Sequence, residues 1–325
     1  TRIAFNNPGG LGEEQKSLRW GRRMMEVADI VIGAECNQDA TAQEDFTRAA
    51  YWDPHTRAQV LHAGYHRKGT GMVVMISERV HATEVRQRQV RNAQLQLVVV
   101  DLTINNIPHR IVGGHAPAAA DLRKKRDYYE RVAAALQEIR REDDANPFAK
   151  RRVKIWGQDR NLTLDDLDQL KPLSRTGARW VELVDAINEA SAVIGEGMDS
   201  VDTFRALHPK AQEFTHGSRR LDTVEVSEDL CQPGELPRMI RSEHVDREKI
   251  AILLPQKLKG WHKWLPEHKA VVITIRYREE EKAKPTWQYR NTRYPNEVWQ
   301  AAVAAAAQQV ERRVEAKCEA VGGRV

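Results

Sequence analysis

Apolar runs of strand length alternate along the chain with segments whose apolar residues recur three and four apart. Runs such as 30–33, 71–77 and 95–102 predict buried strands, and helical spacing predicts helices over 13–28, 121–141 and 177–193. Other strands are predicted at 2–5, 60–65, 107–112, 153–156, 220–226 and 269–275. These strands outnumber those of a doubly wound sheet. The pattern therefore predicts an α/β fold of two β-sheets face to face, with helices outside.

Several segments have weaker patterns. Residues 38–57 are polar without a clear period and are predicted to be irregular. Gly157 is expected to end the strand that begins at Val153. Short elements are predicted at 200–207 (helix), 213–215 (strand) and 250–254 (strand), and the rest of 228–265 shows no clear period.

A charged run near residue 278 marks an expected domain boundary. We expect one domain over 1–277, followed over 278–325 by a charged linker and a C-terminal helical tail. Within that tail, 295–321 is rich in alanine and has an apolar stripe. The chain opens at Thr1 almost directly in a strand pattern, so we expect it to be a piece of a longer polypeptide.

Composition narrows the class of partner and the compartment. The 325 residues carry a formal net charge of +5, which permits a polyanionic partner without requiring one. The three cysteines lie far apart and none has metal-ligand spacing, which favours a reducing compartment. No apolar run is long enough for a membrane helix, and no signal peptide is recognised. We therefore expect no membrane partner and a nuclear or cytoplasmic location.

Polar side chains follow the ends of several predicted strands. Asn6, Glu35, His115, the pair Asp159 and Asn161, and the pair Glu267-His268 all occupy such positions. A carboxylate beside a carboxamide at a sheet edge can supply a general base and its hydrogen-bonding partner. The same residues also occur in Asx-rich turns before helices, and the spacing alone leaves that alternative open.

In their order along the chain, these motifs resemble the endonuclease/exonuclease/phosphatase superfamily, which includes exonuclease III, abasic-site endonucleases, DNase I and the endonuclease domains of non-LTR retrotransposons. The resemblance extends from residue 2 to about 276. It implies a DNase I-like fold, a four-layer sandwich of two mixed sheets flanked by helices. The motifs that carry it are Asn6 before Gly10-Leu11, the strand 30–35 ending in Glu35, His115-Ala-Pro, Gly157 to Asn161, Thr215 to Asp222, and Glu267-His268.

The resemblance implies cleavage of phosphodiester bonds with a divalent metal, Mg²⁺ or Mn²⁺. Glu35 would ligate the ion and Asn6 would orient its shell. Asp159 would activate the attacking water, and Asn161 would hold that water or the phosphate. DNA is the implied substrate.

The remaining family positions carry further implied roles. His268, oriented by Glu267, would bind the scissile phosphate, and His115 would lie beside the leaving group. Thr215 and Asp222 would belong to the substrate-binding part of the site, although Asp222 could instead hold a loop. His244, which follows Ser242-Glu243, competes with His268 for the terminal histidine, and we choose His268 because a buried strand follows it at once.

Departures from the family pattern keep other functions open. Gln158 is an extra residue between Gly157 and the aspartate, Glu267 replaces an aspartate, and His115 replaces a tyrosine. A catalytically degenerate nucleic-acid-binding domain of the same fold is one alternative. A repair nuclease or a phosphatase of the superfamily is another.

The C-terminal tail indicates a subclass. A charged linker with Trp287 that leads into a helix is similar to the passage from endonuclease to reverse transcriptase in retrotransposon polyproteins. The sequence therefore predicts a DNA-nicking endonuclease domain of a retroelement-like polyprotein, with a reverse transcriptase domain as a partner in the same chain. Elsewhere, His109, His208 and His216 are expected at the surface, and the basic run 123–126 is expected to be a solvated helix face or a phosphate contact.

Overall fold

The computed structural model describes residues 1–11, 14–64, 70–92, 94–118, 121–146, 152–163, 166–169, 177–194, 200–231, 237–256 and 260–277. The chain divides into two compact units, Thr1–Tyr277 and Arg278–Val325. The second unit, with the expected linker and terminal helix, lies outside the described residues, and the roles of the two parts stay a prediction. No helix in the described ranges is long and apolar enough to cross a membrane.

Fourteen strands and five α-helices make up the described fold. The helices are α1 (Glu14–Val27), α2 (Ala40–Trp52), α3 (Leu122–Asp144), α4 (Ala178–Ile194) and α5 (Thr203–Leu207). The strands are β1 (Arg2–Asn6), β2 (Ile30–Gly33), β3 (Ala58–Ala63), β4 (Met72–Ser77), β5 (Thr83–Gln87), β6 (Leu97–Ile104), β7 (Ile107–His115), β8 (Val153–Asp159), β9 (Ser200–Asp202), β10 (Asp222–Ser227), β11 (Arg238–Val245), β12 (Ile252–Gln256), β13 (Gly260–Trp264) and β14 (Ala270–Arg276).

Twelve of these strands form two six-stranded sheets. One has the order β11-β14-β1-β2-β4-β3 and the other β5-β6-β7-β8-β10-β9, while β12 and β13 pair separately. Both sheets are mixed, because β1 and β2 are parallel, as are β7 and β8, whereas their other pairs are antiparallel. The mixed-sheet architecture expected from the sequence is confirmed.

Three apolar layers hold the sandwich together. The central layer joins the facing sides of the two sheets, and its members include Phe5 and Ile32 from one sheet and Ile155 from the other. Trp20 and Phe46, from α1 and α2, cover the outer side of the first sheet. The outer side of the second sheet packs against α3 and α4. The result is the predicted order of helices, sheet, sheet and helices.

Two glycines let the sheets approach closely next to their polar edge. Gly113 and Gly157 are partners across β7 and β8. A Cβ on Gly157 would lie 2.8 Å from a ring carbon of Phe5, and one on Gly113 would lie 2.6 Å from Ile32 Cγ2. The expectation that Gly157 ends the strand was wrong, because β8 continues through it to Asp159.

Some predicted local structures were wrong, and weak amphipathic signals explain several of them. Residues 38–57 contain α2, whose described buried positions are Phe46 and Ala50, a stripe too narrow to show a period. In β11 a bulge between Met239 and Arg241 interrupts the alternation that marks a strand. β5 is largely exposed. Residues 200–207 form a short strand followed by α5, and residues 213–215 lie in a loop. β12 begins two residues later than expected.

Candidate active site

Strand register brings the predicted residues to one edge of the sandwich. His115 is the partner of Asp159 across β7 and β8, and Asp159 is the partner of Asp222 across β8 and β10. On the other sheet, β1 ends at Asn6 and β14 begins just after His268. Side-chain contacts between Asn7 and Asp159 and between His268 and Asp222 join the two edges.

Asp159 lies at the centre of this edge and is almost fully buried. Its Oδ2 accepts a hydrogen bond from Asn7 Nδ2 at 3.0 Å, and its Oδ1 accepts one from the backbone N–H of Asn161 at 2.8 Å. The same Oδ2 lies 3.8 Å from His115 Nε2 and 3.8 Å from His268 Nδ1. Two donors thus fix the carboxylate between two imidazoles.

His268 and Asp222 form a charge pair within the site. The Nδ1 of His268 donates to Asp222 Oδ2 at 2.7 Å, and Asp222 is fully buried. Burial lowers the pKa of His268, but the charge and hydrogen bond of Asp222, helped by Asp159 and Glu35, outweigh it and raise the pKa to about 9. Burial raises the pKa of Asp222, and His268 opposes that rise. The imidazole is therefore held as a cation near neutral pH.

His115 and Asn161 form a second polar group beside Asp159. His115 Nδ1 lies 2.8 Å from Gln96 Oε1, and its Nε2 lies 3.1 Å from Asn161 Nδ2 and 3.1 Å from Glu35 Oε1. Asn161 Nδ2 also donates to Ala116 O at 2.8 Å. The positive φ of 51° at Glu35 belongs to the turn that directs this segment away from β2.

Two buried residues, Thr215 and Lys125, hold the backbone segments that carry the site residues. Thr215 Oγ1 accepts hydrogen bonds from the backbone N–H groups of Leu221 and Asp222 at 3.0 and 3.1 Å, which fixes the start of β10. Thr215 is buried and holds the loop before β10, so it does not offer an exposed contact to a substrate.

Lys125 is the second supporting residue. Its Nζ donates to Pro117 O at 2.6 Å and to Asn161 O at 2.9 Å, which joins the segments that follow β7 and β8. Burial lowers its pKa to about 8, and Asp159 opposes that change. Within the basic run 123–126, this residue is neither solvated nor open to a phosphate. Lys125 precedes Tyr129 by four residues and so lies on the apolar face of the helix, and that spacing is the sequence signal that could have indicated its burial.

Two expected contacts are corrected by the structure. Asn6 does not face a metal position, because its Oδ1 accepts from Trp20 Nε1 and its Nδ2 donates to His268 O, both at 3.0 Å. The neighbouring Asn7 reaches Asp159 instead. Adjacent strand residues point to opposite faces, so the sequence could not decide between the two asparagines. Glu267 does not orient His268 through Nδ1, since Asp222 occupies that nitrogen.

The two histidines that compete for the terminal position, His268 and His244, lie in different surroundings. His268 lies beside Asp159, whereas His244 is buried on β11, stacked on Phe204 with ring centroids 4.1 Å apart. Burial lowers the pKa of His244 to about 3. The expectation of a surface His109 was wrong: its side chain is buried and its Nε2 contacts the Tyr277 hydroxyl at 2.7 Å.

The edge carries carboxylate oxygens of the kind that divalent cations take as ligands. Glu35 and Asp159 place carboxylate oxygens 3.1 and 3.8 Å from the same His115 nitrogen, and Glu35 is partly exposed to solvent. Carboxylate oxygens and water are the ligands that Mg²⁺ and Mn²⁺ prefer. Asp159 also brings an oxygen within 4.8 Å of ligand atoms of Asp222 and His268, although those two residues already pair with each other.

Comparison with solved structures identifies similar folds. An AP endonuclease from Archaeoglobus fulgidus is 15% identical, covers 84% of this chain and 98% of its own, and has a TM-score of 0.56. A 3′-5′ exonuclease (NExo) from Neisseria meningitidis is 16% identical over 85% and 100%, with a TM-score of 0.54. The endonuclease domain of TRAS1, a telomere-specific non-LTR retrotransposon, is 13% identical over 86% and 99%, with a TM-score of 0.51.

The sequence itself gives no such match. No protein-family model matches the chain, and no curated protein is detectably similar to it in sequence. Its likeness to the solved enzymes is therefore one of fold.

Proposed function

We propose that this chain, whose fold is that of the endonuclease/exonuclease/phosphatase superfamily, is a metal-dependent phosphodiesterase that nicks duplex DNA. The observation that carries the proposal is the convergence of Glu35, His115, Asp159, Asp222 and His268 at one edge of the two sheets. Hydrolysis of a phosphodiester needs a base for the attacking water and positive charge at the phosphate. This edge supplies both.

Asp159 is the proposed general base. Its two oxygens accept from Asn7 and from the backbone of Asn161, so the carboxylate is oriented before substrate arrives. A water beside Oδ2 can pass its proton to Asp159 as it attacks phosphorus. Asn161, whose side chain is held by Ala116 O, lies close enough to help position that water or a phosphate oxygen.

His268 is the proposed phosphate-binding cation. Asp222 holds Nδ1–H and maintains the protonated ring, which leaves Nε2–H to donate to a non-bridging phosphate oxygen. The fixed pair needs little rearrangement as negative charge develops on that oxygen. His115, between Glu35 and Asn161, is proposed to lie beside the leaving group.

Glu35 is the proposed carboxylate ligand of Mg²⁺ or Mn²⁺, with water in the rest of the shell. When bound, the ion supplies charge neutralisation at the phosphate. Glu35 would hold the ion with a carboxylate that is partly exposed and whose Oε1 lies 3.1 Å from His115 Nε2 in this structure.

The biological setting is a further part of the proposal. The fold likeness to a retrotransposon endonuclease domain and the sequence of the tail support an endonuclease domain of a retroelement-like polyprotein, with DNA as substrate and a reverse transcriptase domain as neighbour. Such a protein works in the nucleus or the cytoplasm.

One contact favours a second candidate function. Glu35 Oε1 lies 3.1 Å from His115 Nε2, so this carboxylate already has a partner where a metal ligand is proposed. A domain of the same fold that binds nucleic acid without cleaving it would keep this pair. A repair nuclease or a phosphatase would instead retain hydrolysis and differ in its substrate.

A plasmid assay with two histidine variants tests the site. Purified protein is incubated with supercoiled DNA and Mg²⁺, and the nicked fraction is followed on gels. His268→Ala should abolish nicking, whereas His244→Ala, which removes a buried imidazole outside the site, should leave most of it once folding is verified by thermal unfolding. The opposite pattern would overturn the assignment. Glu35→Ala should lower the rate roughly 10²-fold. An inactive parent that still binds DNA would support the non-cleaving alternative.

A further inference from the structure

A cluster of two imidazoles and a carboxylate lies at the outer rim of the site, and two of its members, His216 and Glu267, have no role in the proposed hydrolysis. His216 comes from the loop before β10, and Glu267 and His268 come from the turn before β14. One ligand atom from each lies within 4.8 Å of the other two. His216 and Glu267 are exposed, so an ion can enter from solvent.

The surrounding structure orients His268 for a ligand role. Asp222 Oδ2 holds its Nδ1 at 2.7 Å, which leaves Nε2 as the nitrogen available to a metal. A carboxylate on the far nitrogen of a metal-binding imidazole fixes the ring and increases its basicity, and this arrangement is common around protein metal sites. His268 Nε2 is therefore available to a metal while Asp222 already holds the ring by its other nitrogen.

His216 is held against His268. The two rings stack with centroids 4.5 Å apart and planes 26° from parallel. Backbone hydrogen bonds fix the loop on both sides: His216 and Arg219 exchange bonds of 3.0 and 2.9 Å, and Lys269 N donates to Thr215 O at 2.8 Å. These bonds hold the backbone of His216 beside His268.

Glu267 occupies space that a glycine provides. A Cβ on Gly9 would lie 2.4 Å from Glu267 Cδ and 2.6 Å from its Oε1. The positive φ of 72° at Gly9 gives an independent reason for glycine in that turn. The carboxylate consequently lies over the β1 turn, beside the two histidines.

We propose that His216, Glu267 and His268 form a binding site for a transition-metal ion of the Zn²⁺ class, separate from the position proposed for Mg²⁺. Imidazole nitrogen is a favourable ligand for Zn²⁺, Co²⁺ and Ni²⁺, whereas Mg²⁺ prefers oxygen and retains its water. Two histidines and one glutamate make a known three-ligand zinc set, with water in the fourth position.

Occupation of this site has a consequence for cleavage, which rests on the proposed function. A metal on His268 Nε2 takes the electron pair that otherwise carries a proton. The ring can then no longer donate to a phosphate oxygen. Low concentrations of Zn²⁺ are expected to inhibit Mg²⁺-dependent nicking, and loss of His216 is expected to relieve that inhibition.

The direct test measures binding without DNA. The full 325-residue chain is treated with chelator and then titrated with Zn²⁺ in competition with a chromophoric chelator. The parent should bind one Zn²⁺ tightly, and His216→Ala should lose at least roughly 10-fold in affinity, the scale of losing a metal-site contact. His55→Ala removes an exposed imidazole elsewhere and should bind like the parent.

Visible spectra of the Co²⁺ form provide a second measurement. Bands of nitrogen and oxygen ligation without thiolate charge transfer should appear in the parent and in Cys36→Ser, and they should weaken in His216→Ala and Glu267→Gln. Absence of stoichiometric binding, or equal affinity of the parent and His216→Ala, would overturn the site. Because neither measurement involves cleavage, this result is independent of whether the chain proves to be a nuclease.

Discussion

The pair formed by His268 and Asp222 gives a quantitative test of the site. The pKa of His268 is raised to about 9 from 6.5, because the folded protein favours the protonated ring. At about 1.4 kcal/mol per pKa unit, the rise of about 2.5 units corresponds to about 3.5 kcal/mol of interaction in favour of the charged ring. Asp222→Asn removes the nearest negative charge while burial remains. The pKa of His268 should then fall to 6.5 or below.

Nuclear magnetic resonance of the imidazole C–H groups measures this directly. The titration is made with chelator present, and the parent and Asp222→Asn are compared under the same conditions. The alkaline limb of the pH–rate profile for nicking should move in the same direction, from near 9 in the parent to lower pH in the variant. A His268 that still titrates near 9 in Asp222→Asn would refute the role assigned to Asp222.

Stability should show the same linkage with a defined sign. Between pH 6.5 and about 9 the folded protein binds a proton on His268 that the unfolded chain releases. This contribution is fully present below pH 6.5 and is lost as pH rises through about 9. The lowered pKa of Lys125, about 8, acts above pH 8 and in the opposite direction. The amino group of Thr1, whose pKa is lowered from 8.0 by burial, also contributes below pH 8, so the part of the slope between pH 6.5 and 8 that disappears in Asp222→Asn is assigned to His268.

Three further predictions concern the frame around the site. Lys125→Met leaves two half-buried carbonyl acceptors, those of Pro117 and Asn161, without their donor and should lower the free energy of unfolding by about 1–3 kcal/mol in urea titrations, whereas the exposed Lys124→Met should change it little. Gly157→Ala forces a methyl against Phe5 and should cost about 1–3 kcal/mol in thermal unfolding; unchanged stability would show that the sheets can separate without penalty. Deletion of 279–325 should leave a folded, nicking-competent protein, and a truncated chain without a cooperative unfolding transition would contradict the expected domain boundary.

Much of the sandwich could be predicted because its buried elements carry strong periodic patterns. β6 and β7 are long and apolar and turn at Asn105-Asn106, both with positive φ, so the expected hairpin is confirmed. α2 and β5 could not be predicted, since each buries too few side chains to show a period. The family resemblance located the polar edge through the order of short motifs, and the fold that it implied is confirmed.

The details of the site depended on contacts that sequence spacing does not contain. At the end of β1, the side chain of Asn6 contacts Trp20 and that of Asn7 contacts Asp159, and the sequence does not show which of the two asparagines faces the site. The carboxylate that holds His268 comes from β10, 46 residues away in the chain, whereas the sequence directed attention to the adjacent Glu267. Long-range pairing of this kind follows from strand register, which single-sequence patterns determine poorly.

The most direct test of the account is nicking of supercoiled plasmid by the parent protein and by Asp159→Asn, each in Mg²⁺ and in excess chelator. The parent should convert supercoiled DNA to the open circular form in Mg²⁺ only. Asp159→Asn should fold normally, bind DNA and nick roughly 10²-fold more slowly, the scale of losing a general base. Equal rates for the two folded proteins, or cleavage that persists in chelator, would contradict a metal-dependent nuclease whose base is Asp159.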